Sequence, residues 1–428
     1  MKVGIATLGC KVNAYESEYV AHLLKESGYE ITNFEDQCDV YIINTCTVTN
    51  TSDVKSRKLI HQAIKRNKDA CIVAMGCFIE ANKDYRELGL DIVLGNKDKS
   101  KIVSLLEEYF KNRQEIRDLY QEIDTKFEDM FITHFESRTR AFVKIQDGCE
   151  NFCSYCIIPL VRGKCRSKDP NKVLEEIRSL VDHGYQEVIL TGIHTGNYGR
   201  DCNTDLASLL KEILMIPHLK RLRISSIEIT ELTEEILELL RHSAIIVDHL
   251  HIPLQAGSNP ILKAMNRKYD LAYFEDKLNK IRSIRPNISI TTDVIVGFPG
   301  ETRDLFEQTL FTCQKFGFSK IHTFPYSIRS KTVAATMPNQ VDEAEKKARA
   351  RELIQLSRRL EQNYFNKYRE KEVEVLVETY KNGFSYGHTG NYLLVKIEGE
   401  HPLHQLVKVK ITEVEYPYCI GQPLISVY

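Results

Sequence analysis

Cys149, Cys153 and Cys156 lie within eight residues of the 428-residue chain, in the run Gly148-Cys149-Glu150-Asn151-Phe152-Cys153-Ser154-Tyr155-Cys156. This C-x3-C-x2-C spacing supplies three soft thiolates, too few to close the four-ligand shell of a structural zinc. Three thiolates on a [4Fe–4S] cluster leave one iron open for a small chelating ligand, which is useful chemistry. The alternative is a zinc loop that borrows a distant fourth ligand such as Cys165. The chain has 12 cysteines in all, too many to dismiss and too sparse for a secreted disulfide scaffold. Cys10, Cys46 and Cys77 each close an apolar, β-rich run. Cys38, Cys71, Cys165, Cys202, Cys313 and Cys419 read as packing or incidental thiols.

The elements that must hold these thiols are legible as alternating strand and helix patterns. In the first hundred residues, strands at Val3–Leu8, Val40–Asn44, Cys71–Met75 and Ile92–Leu94 alternate with helices at Tyr15–Glu26 and Asp53–Arg66. That is the βαβ pattern of a doubly wound parallel sheet, whose ligands gather at the carboxyl ends of its strands. A charged connector from Lys99 to Glu136, read as helical, leads to a second block. There, strands near Phe142–Ile145, Glu187–Ile193, Arg221–Ser225, Leu250–Leu254, Ile288–Val296 and Ile321–Tyr326 are separated by helices. Six βα units are too few for a closed eight-unit barrel, so a partial (β/α)6 barrel is expected, with the three-cysteine loop after its first strand. Asp342 to Lys371 reads as one long basic helix. Val373–Glu378, Tyr392–Ile397 and Val407–Val414 then alternate around turns at Lys381–Gly383 and Gly387–Gly390, which suggests a small antiparallel β-barrel. The expected division is 1–135, 136–365 and 366–428.

The charge balance, 58 Lys and Arg against 59 Asp and Glu, excludes a uniformly basic nucleic-acid binder and makes any polyanion site a local patch. The longest apolar run, Ala70 to Ile79, falls far short of the roughly 18 residues of a membrane helix. The opening Met1-Lys2-Val3-Gly4-Ile5 has no signal-peptide architecture. A soluble, cytoplasmic protein with no membrane partner is expected; its oligomeric state is not set by the sequence.

The three-cysteine loop resembles the radical S-adenosylmethionine (SAM) superfamily. Thr7-Leu8-Gly9-Cys10-Lys11-Val12-Asn13, Asn44-Thr45-Cys46-Thr47-Val48, Gly76-Cys77, Gly95-Asn96, Arg162-Gly163-Lys164-Cys165-Arg166-Ser167, His251-Ile252-Pro253-Leu254-Gln255-Ala256-Gly257-Ser258 and Asp293-Val294-Ile295-Val296-Gly297-Phe298-Pro299-Gly300-Glu301-Thr302 extend the likeness nearly end to end. Together they resemble the methylthiotransferase family. The resemblance implies an N-terminal domain whose Cys10, Cys46 and Cys77 hold an auxiliary [4Fe–4S] cluster, a radical SAM barrel whose Cys149, Cys153 and Cys156 hold a second, and a C-terminal TRAM barrel. It implies SAM as methyl donor and radical source, and an electron donor as partner. A methylthio group replacing hydrogen on an unactivated carbon needs a radical, because that C–H bond offers no useful acidity. Tyr155 matches the position that contacts adenine. Thr191 and Gly192 occupy the turn that meets the methionine amino group, although the usual Gly-Gly-Glu is absent. Glu228 and Gln255 end strands on the active face, and Val296 lies where backbone would meet adenine. His194 reads as a hydrogen-bonded loop residue.

The Gly9-Cys10-Lys11-Val12-Asn13 context resembles the branch acting on N6-threonylcarbamoyladenosine at position 37 of tRNA; the isopentenyladenosine branch usually has Tyr before the glycine and Gln-Met after the cysteine. The implied partner is a tRNA anticodon stem-loop. Six Lys or Arg and no acid between Lys55 and Lys68, nine cations against three Glu between Lys346 and Lys371, and Arg162, Lys164, Arg166 and Lys168 are candidate phosphate contacts, or else solvated faces. Arg162 and Arg166 are the candidates for binding the substrate's carboxylate. Seven of the 21 tyrosines lie in residues 366–428, which suits base stacking and equally a small β core. The alternatives are the isopentenyladenosine or ribosomal-protein branches of the family, or a non-catalytic iron–sulfur or zinc RNA-binding protein.

Overall fold

The computed structural model describes residues 1–82, 85–118, 126–135 and 138–424. Its first unit is a six-stranded parallel sheet: β1 (Lys2–Thr7), β2 (Glu30–Thr32), β3 (Val40–Thr45), β4 (Cys71–Gly76), β5 (Ile92–Leu94) and β6 (Ile116–Asp118), in the order β2-β1-β3-β4-β5-β6. Helices α1 (Lys11–Glu26), α2 (Asn50–Arg66), α3 (Cys77–Ala81) and α4 (Ile102–Asn112) flank it. β3 and β4 are buried at every position, as their unbroken apolar runs require of central strands covered on both faces. The strand order reverses between β1 and β3, which makes their carboxyl ends the switch point of the sheet.

The second unit begins with β7 (Ala141–Lys144) and a two-residue antiparallel pair, β8 (Gln146–Asp147) with β9 (Arg166–Ser167), which brackets the cysteine loop and α5 (Ile158–Arg162). Strands β10 (Glu187–Thr191), β11 (Arg221–Ile224), β12 (His249–His251), β13 (Ser289–Val296) and β14 (Lys320–Pro325) complete six parallel strands in two groups, β7-β10-β11 and β12-β13-β14. A parallel bridge from Leu222 to Ile246 joins the groups. Helices α6 (Pro170–Asp182), α7 (Leu206–Ile213), α8 (Glu234–His242), α9 (Asn259–Ala264), α10 (Leu271–Ile284), α11 (Arg303–Phe316) and α12 (Glu343–Asn366) surround them. Asp169, Asp205, Thr233, Asp270, Thr302 and Asp342 accept backbone N–H groups at the starts of α6, α7, α8, α10, α11 and α12.

Six strands leave the barrel open between β7 and β14, and the N-terminal domain spans the gap. On one side Glu16 of α1 meets Lys144 of β7 at 2.8 Å. On the other Arg329, just past β14, meets Asp53 of α2 at 2.9 Å and donates to Thr47 and Asn50 at 2.6 Å each. The third unit is a closed five-stranded barrel of β15 (Glu372–Lys381), β16 (Phe384–Thr389), β17 (Leu394–Glu398), β18 (Leu406–Glu415) and β19 (Tyr418–Pro423). It caps the amino ends of the central strands: Arg221 donates to the Glu374 carbonyl at 2.7 Å, and the Tyr392 ring lies 4.5 Å from that of His249.

Several expectations need correction. The connector is helical over a 3-10 turn, Lys99–Lys101, and α4, which Arg113 ends by turning left-handed, and β6 then joins the first sheet; residues 119–125 and 136 of that expectation lie outside the described set. The basic helix stops at Asn366, not Lys371, because Tyr364, Phe365 and Tyr368 pack into the last barrel's core. Gly387 is not in a turn but in β16, where a Cβ would lie 2.0 Å from the Leu376 carbonyl oxygen, so glycine serves close strand approach. Of the expected boundaries, 136 lies outside the described residues and 365/366 coincides with the end of α12. Among the described residues no helix is long and apolar enough to cross a membrane.

Removing Arg329 leaves Asp53 unpaired at one edge of the seam. Arg329→Met should cost about 3 kcal/mol and lower the first thermal unfolding transition by several degrees, read by calorimetry.

Candidate active site: two cysteine triads

Cys10, Cys46 and Cys77 follow β1, β3 and β4, three adjacent strands that end on the same side of the sheet. Cys10 caps α1, and Cys77 opens α3. The backbone between them is drawn tight: a Cβ on Gly9, whose φ is +101°, would sit 2.9 Å from the Cys46 sulfur. Asn13 donates to the carbonyls of Leu8 and Thr45 at 2.7 and 3.0 Å, tying the ends of β1 and β3 together. Burial pushes all three thiols up, and the Arg162 guanidinium acts on each in the opposite direction, toward thiolate.

Arg162 reaches this triad from the second unit. Its Nε donates to the Cys77 sulfur at 3.3 Å, Nη1 to Glu16 at 2.9 Å and to both Asp147 oxygens at 3.1 Å, and Nη2 to Asn13 at 2.7 Å. Lys144 joins Glu16 and Asp147, each at 2.8 Å, while Lys99 approaches Glu16 at 3.4 Å and Arg166 approaches Asp147 at 3.7 Å. Burial alone would raise Glu16, but the Arg162, Lys144 and Lys99 charges hold it down at about 2. Burial is likewise outweighed at Asp147, where Arg162, Lys144 and Arg166 keep the carboxyl well below its usual range. Four cations face three carboxylates here, counting Glu128, which also lies beside Lys99 and Lys144, so the balance is positive and favours an anionic group at the sulfurs.

The second triad lies on the loop after β8. Gly148, with φ +80°, admits no side chain, since a Cβ would stand 1.9 Å from the Lys164 carbonyl oxygen. Here too a guanidinium touches one sulfur: Arg267 Nη1 donates to Cys153 at 3.1 Å, while its other nitrogens engage Glu228 and the Tyr269 hydroxyl. His194 Nδ1 lies 3.7 Å from the Cys149 sulfur and 2.7 Å from Asn197 Nδ2, with Glu231 at its other nitrogen. Burial opposes a charged imidazole, but hydrogen bonds with Cys149, Cys165 and Glu231 push it up to about 12.

The donor sets distinguish a cluster from a single ion. Among the described residues, the three ligand-type side chains whose donor atoms gather within 4.8 Å are His251, Asp293 and His322, not either cysteine triad. Three thiols set wider than one ion requires, each set with one sulfur hydrogen-bonded by arginine, fit the separated irons of a cubane. Cys165 is buried and accepts from Asn197 Nδ2 at 3.8 Å, so it does not complete a four-thiol zinc shell.

Cys10 of the first triad lines a cavity of about 880 Å³, and Ile158, two residues past Cys156, lines it from the side of the second. Gly9, Cys10 and Lys11 line it from the first domain, Ile158, Thr191, Gly192, Asp293 and His322 from the barrel, and His388 and Tyr392 from the last. Thr191 and Gly192 lie on its wall. Tyr155 packs against Ala256, Phe298 and Tyr326, beside the segments of Gln255 and Val296. Gln255 is held at φ +66° by backbone hydrogen bonds to Asp293 and from Ile295, each 2.8 Å. The Val296 side chain is in the core, and its carbonyl accepts from Tyr326 N–H at 2.8 Å.

Arg162 and Arg166 require correction as carboxylate receptors: both are buried and already paired with Glu16 and Asp147, so neither offers a free guanidinium to the cavity. Lys168, held by Glu176 and the Met130 carbonyl, is equally removed from any phosphate track, and Lys164 alone of that group is exposed. The sequence reading missed Glu16, Asp147 and Arg267. Their spacing from the cysteines is irregular, and only the fold brings them to the sulfurs.

Two measurements test this description. Stability held by Glu16 and Asp147 is complete above the ordinary carboxylate range near pH 4 and is lost as the pH falls toward 2. Thermal denaturation of iron-free protein should therefore show a falling Tm over that window, a slope that Glu16→Gln shallows while costing about 3 kcal/mol at pH 7. Gly148→Ala should reduce reconstituted iron from about eight to about four per chain, with the circular dichroism spectrum retained.

Comparisons with known proteins agree with this arrangement. Residues 143–313 match the Radical SAM superfamily, residues 2–95 the family described as "Uncharacterized protein family UPF0004", and residues 366–424 the TRAM domain. Threonylcarbamoyladenosine tRNA methylthiotransferase MtaB of Bacillus subtilis (strain 168) is 45% identical over 98% of this chain and 96% of its own length. The protein of the same name from Aquifex aeolicus (strain VF5) is 38% identical over 96% of this chain and 100% of its own. The tRNA-2-methylthio-N(6)-dimethylallyladenosine synthase of Carboxydothermus hydrogenoformans is 38% identical over 96% of each. Among solved structures, the radical SAM methyltransferase TsrM from Kitasatospora setae shares the fold, with a TM-score of 0.58, 14% identity, and coverage of 78% of this chain and 77% of that one. The chain belongs to the radical SAM methylthiotransferase family, on its threonylcarbamoyladenosine tRNA branch.

Proposed function

We infer that the protein adds a 2-methylthio group to N6-threonylcarbamoyladenosine at position 37 of tRNA, using two [4Fe–4S] clusters and SAM, with the anticodon stem-loop as substrate and an electron donor as partner. It would act in the cytoplasm. The observation that carries this reading is a cavity between the domains, lined by Cys10 and its neighbours on one side and by Ile158, Thr191 and Gly192 of the barrel on the other. A purine ring placed there has the radical source on one side and the sulfur source on the other. When bound, the clusters and SAM supply a carbon-centred radical, a sulfur atom and a methyl group.

The chain's own work is placement and exclusion of water. We assign Cys149, Cys153 and Cys156 to the SAM-binding cluster and Cys10, Cys46 and Cys77 to the auxiliary one. Arg267 fixes Cys153 and, through Glu228, the strand end beyond β11. Tyr155, Gln255 and Val296 form the side on which the adenine of SAM would rest, with Thr191 and Gly192 at the methionine end. The C-terminal domain closes the amino end of the barrel and brings Tyr392 and His388 to the cavity. Exposed Lys55, Lys58 and Lys65 on α2 and Arg351, Arg358 and Arg359 on α12 remain available for phosphate.

Cys149→Ala, Cys153→Ala or Cys156→Ala should abolish SAM cleavage. Cys10→Ala, Cys46→Ala or Cys77→Ala should retain cleavage and lose methylthio transfer, and product from any of the latter three would reject the auxiliary assignment. In cells, deletion of the gene should leave N6-threonylcarbamoyladenosine lacking only its methylthio group, by mass spectrometry of tRNA nucleosides. Loss of 2-methylthio-isopentenyladenosine instead would move the protein to the other tRNA branch.

A further inference from the structure

With Arg162 and Arg166 committed to buried carboxylates, the substrate's own carboxylate needs another counter-charge. Two lysines line the cavity. Lys320 is held by Glu361 at 2.9 Å, whereas Lys11 makes no hydrogen bond or ion pair with any described residue. Asp293, across the space, is engaged by His251 at 3.2 Å, and it and Tyr392 attract Lys11 without forming an ion pair or hydrogen bond with it. The placement of Lys11 is also against helix stability. It is the first residue of α1, whose first turn carries no acid, and a cation there opposes the helix dipole. A half-buried, unpaired ammonium at the wrong end of a helix has no structural occupation that would account for it.

We propose that Lys11 is the specificity residue of the cavity, pairing with the free carboxylate on the N6 substituent of the target adenosine. The proposal rests on the function inferred above and deepens it. Its geometry follows from covalent structure. On a purine, C2 and C6 both flank N1, so a group on N6 leaves the ring along the edge that carries C2. A ring whose C2 faces the Cys10 triad therefore delivers that substituent to the residue next to Cys10 in the chain. Gly9, with no side chain, leaves the approach between Cys10 and Cys46 clear. Lys11 positions the substrate and takes no part in bond making.

The test uses holoenzyme, an anticodon stem-loop RNA bearing N6-threonylcarbamoyladenosine, and the same RNA with that carboxylate methyl-esterified. Fluorescence anisotropy reads affinity, and iron analysis reports the clusters. Wild type should bind the acid roughly ten- to hundred-fold tighter than the ester, the worth of one charge-assisted contact. Lys11→Met should lose that preference by weakening for the acid alone, and Lys11→Arg should keep it. The wild-type acid–ester comparison needs no variant and stands if Lys11→Met loses iron. Equal binding of acid and ester by wild type, or a surviving preference in Lys11→Met, overturns the proposal. A wild type that methylthiolates the acid RNA yet does not discriminate overturns Lys11 alone; one that methylthiolates neither RNA overturns the functional reading and Lys11 with it.

Discussion

A guanidinium with almost no exposure sits at the centre of the polar contacts that join the first two domains. Arg162 comes from the short helix after the Cys149 loop and ends on the sulfur of Cys77, between Glu16, Asp147 and Asn13. Taking such a charge out of water is costly unless every donor is matched. Its ε-nitrogen finds sulfur, one η-nitrogen two carboxylates and the other an amide oxygen. The docking of the sheet on the barrel therefore combines this hydrogen-bond geometry with apolar packing, in which Tyr15 and Tyr19 enter the barrel's core cluster. The same residue tunes the sulfurs it touches and holds the domain that carries them.

The order of strands and most helices was legible because burial imposes period. β3 and β4, buried on both faces, read as unbroken apolar runs, and α6 and α11 announce themselves with Asp169 and Thr302 at their starts. Edge strands carry no such signal. β2 and β6 are three residues each and exposed on one side, and both escaped the reading. β16 was read as a turn because two glycines flank His388 and Thr389, though Gly387 is there for close packing. The cysteine triads were legible because thiols are rare and their spacing is informative. The charges around them were not, since Lys and Arg are common on every surface and nothing in a local stretch says that Arg162, Arg166 and Lys168 turn inward.

The central barrel is incomplete by design of its strand number, and the structure makes use of the opening. Closing it with a separate sheet rather than two more βα units places the switch point of one fold at the open seam of another. Loops after β1 and β3, which in an isolated doubly wound domain would face solvent, instead form a wall of the barrel's interior. The C-terminal barrel finishes the enclosure from the opposite end, with Tyr392 stacked beneath Arg223 at 4.0 Å. One reaction chamber therefore draws on three independently recognisable units.

The helix that carries Arg162 also ties the two sets of thiols to one another. Cys156 and Arg162 are separated by a single short helical segment, Ile158–Arg162, and Arg162 ends on Cys77. The two sets of thiols are therefore linked by one run of backbone and one N–H···S hydrogen bond. A shift of the loop that carries one set is passed through Arg162 to the other, so the position of each set depends on both domains.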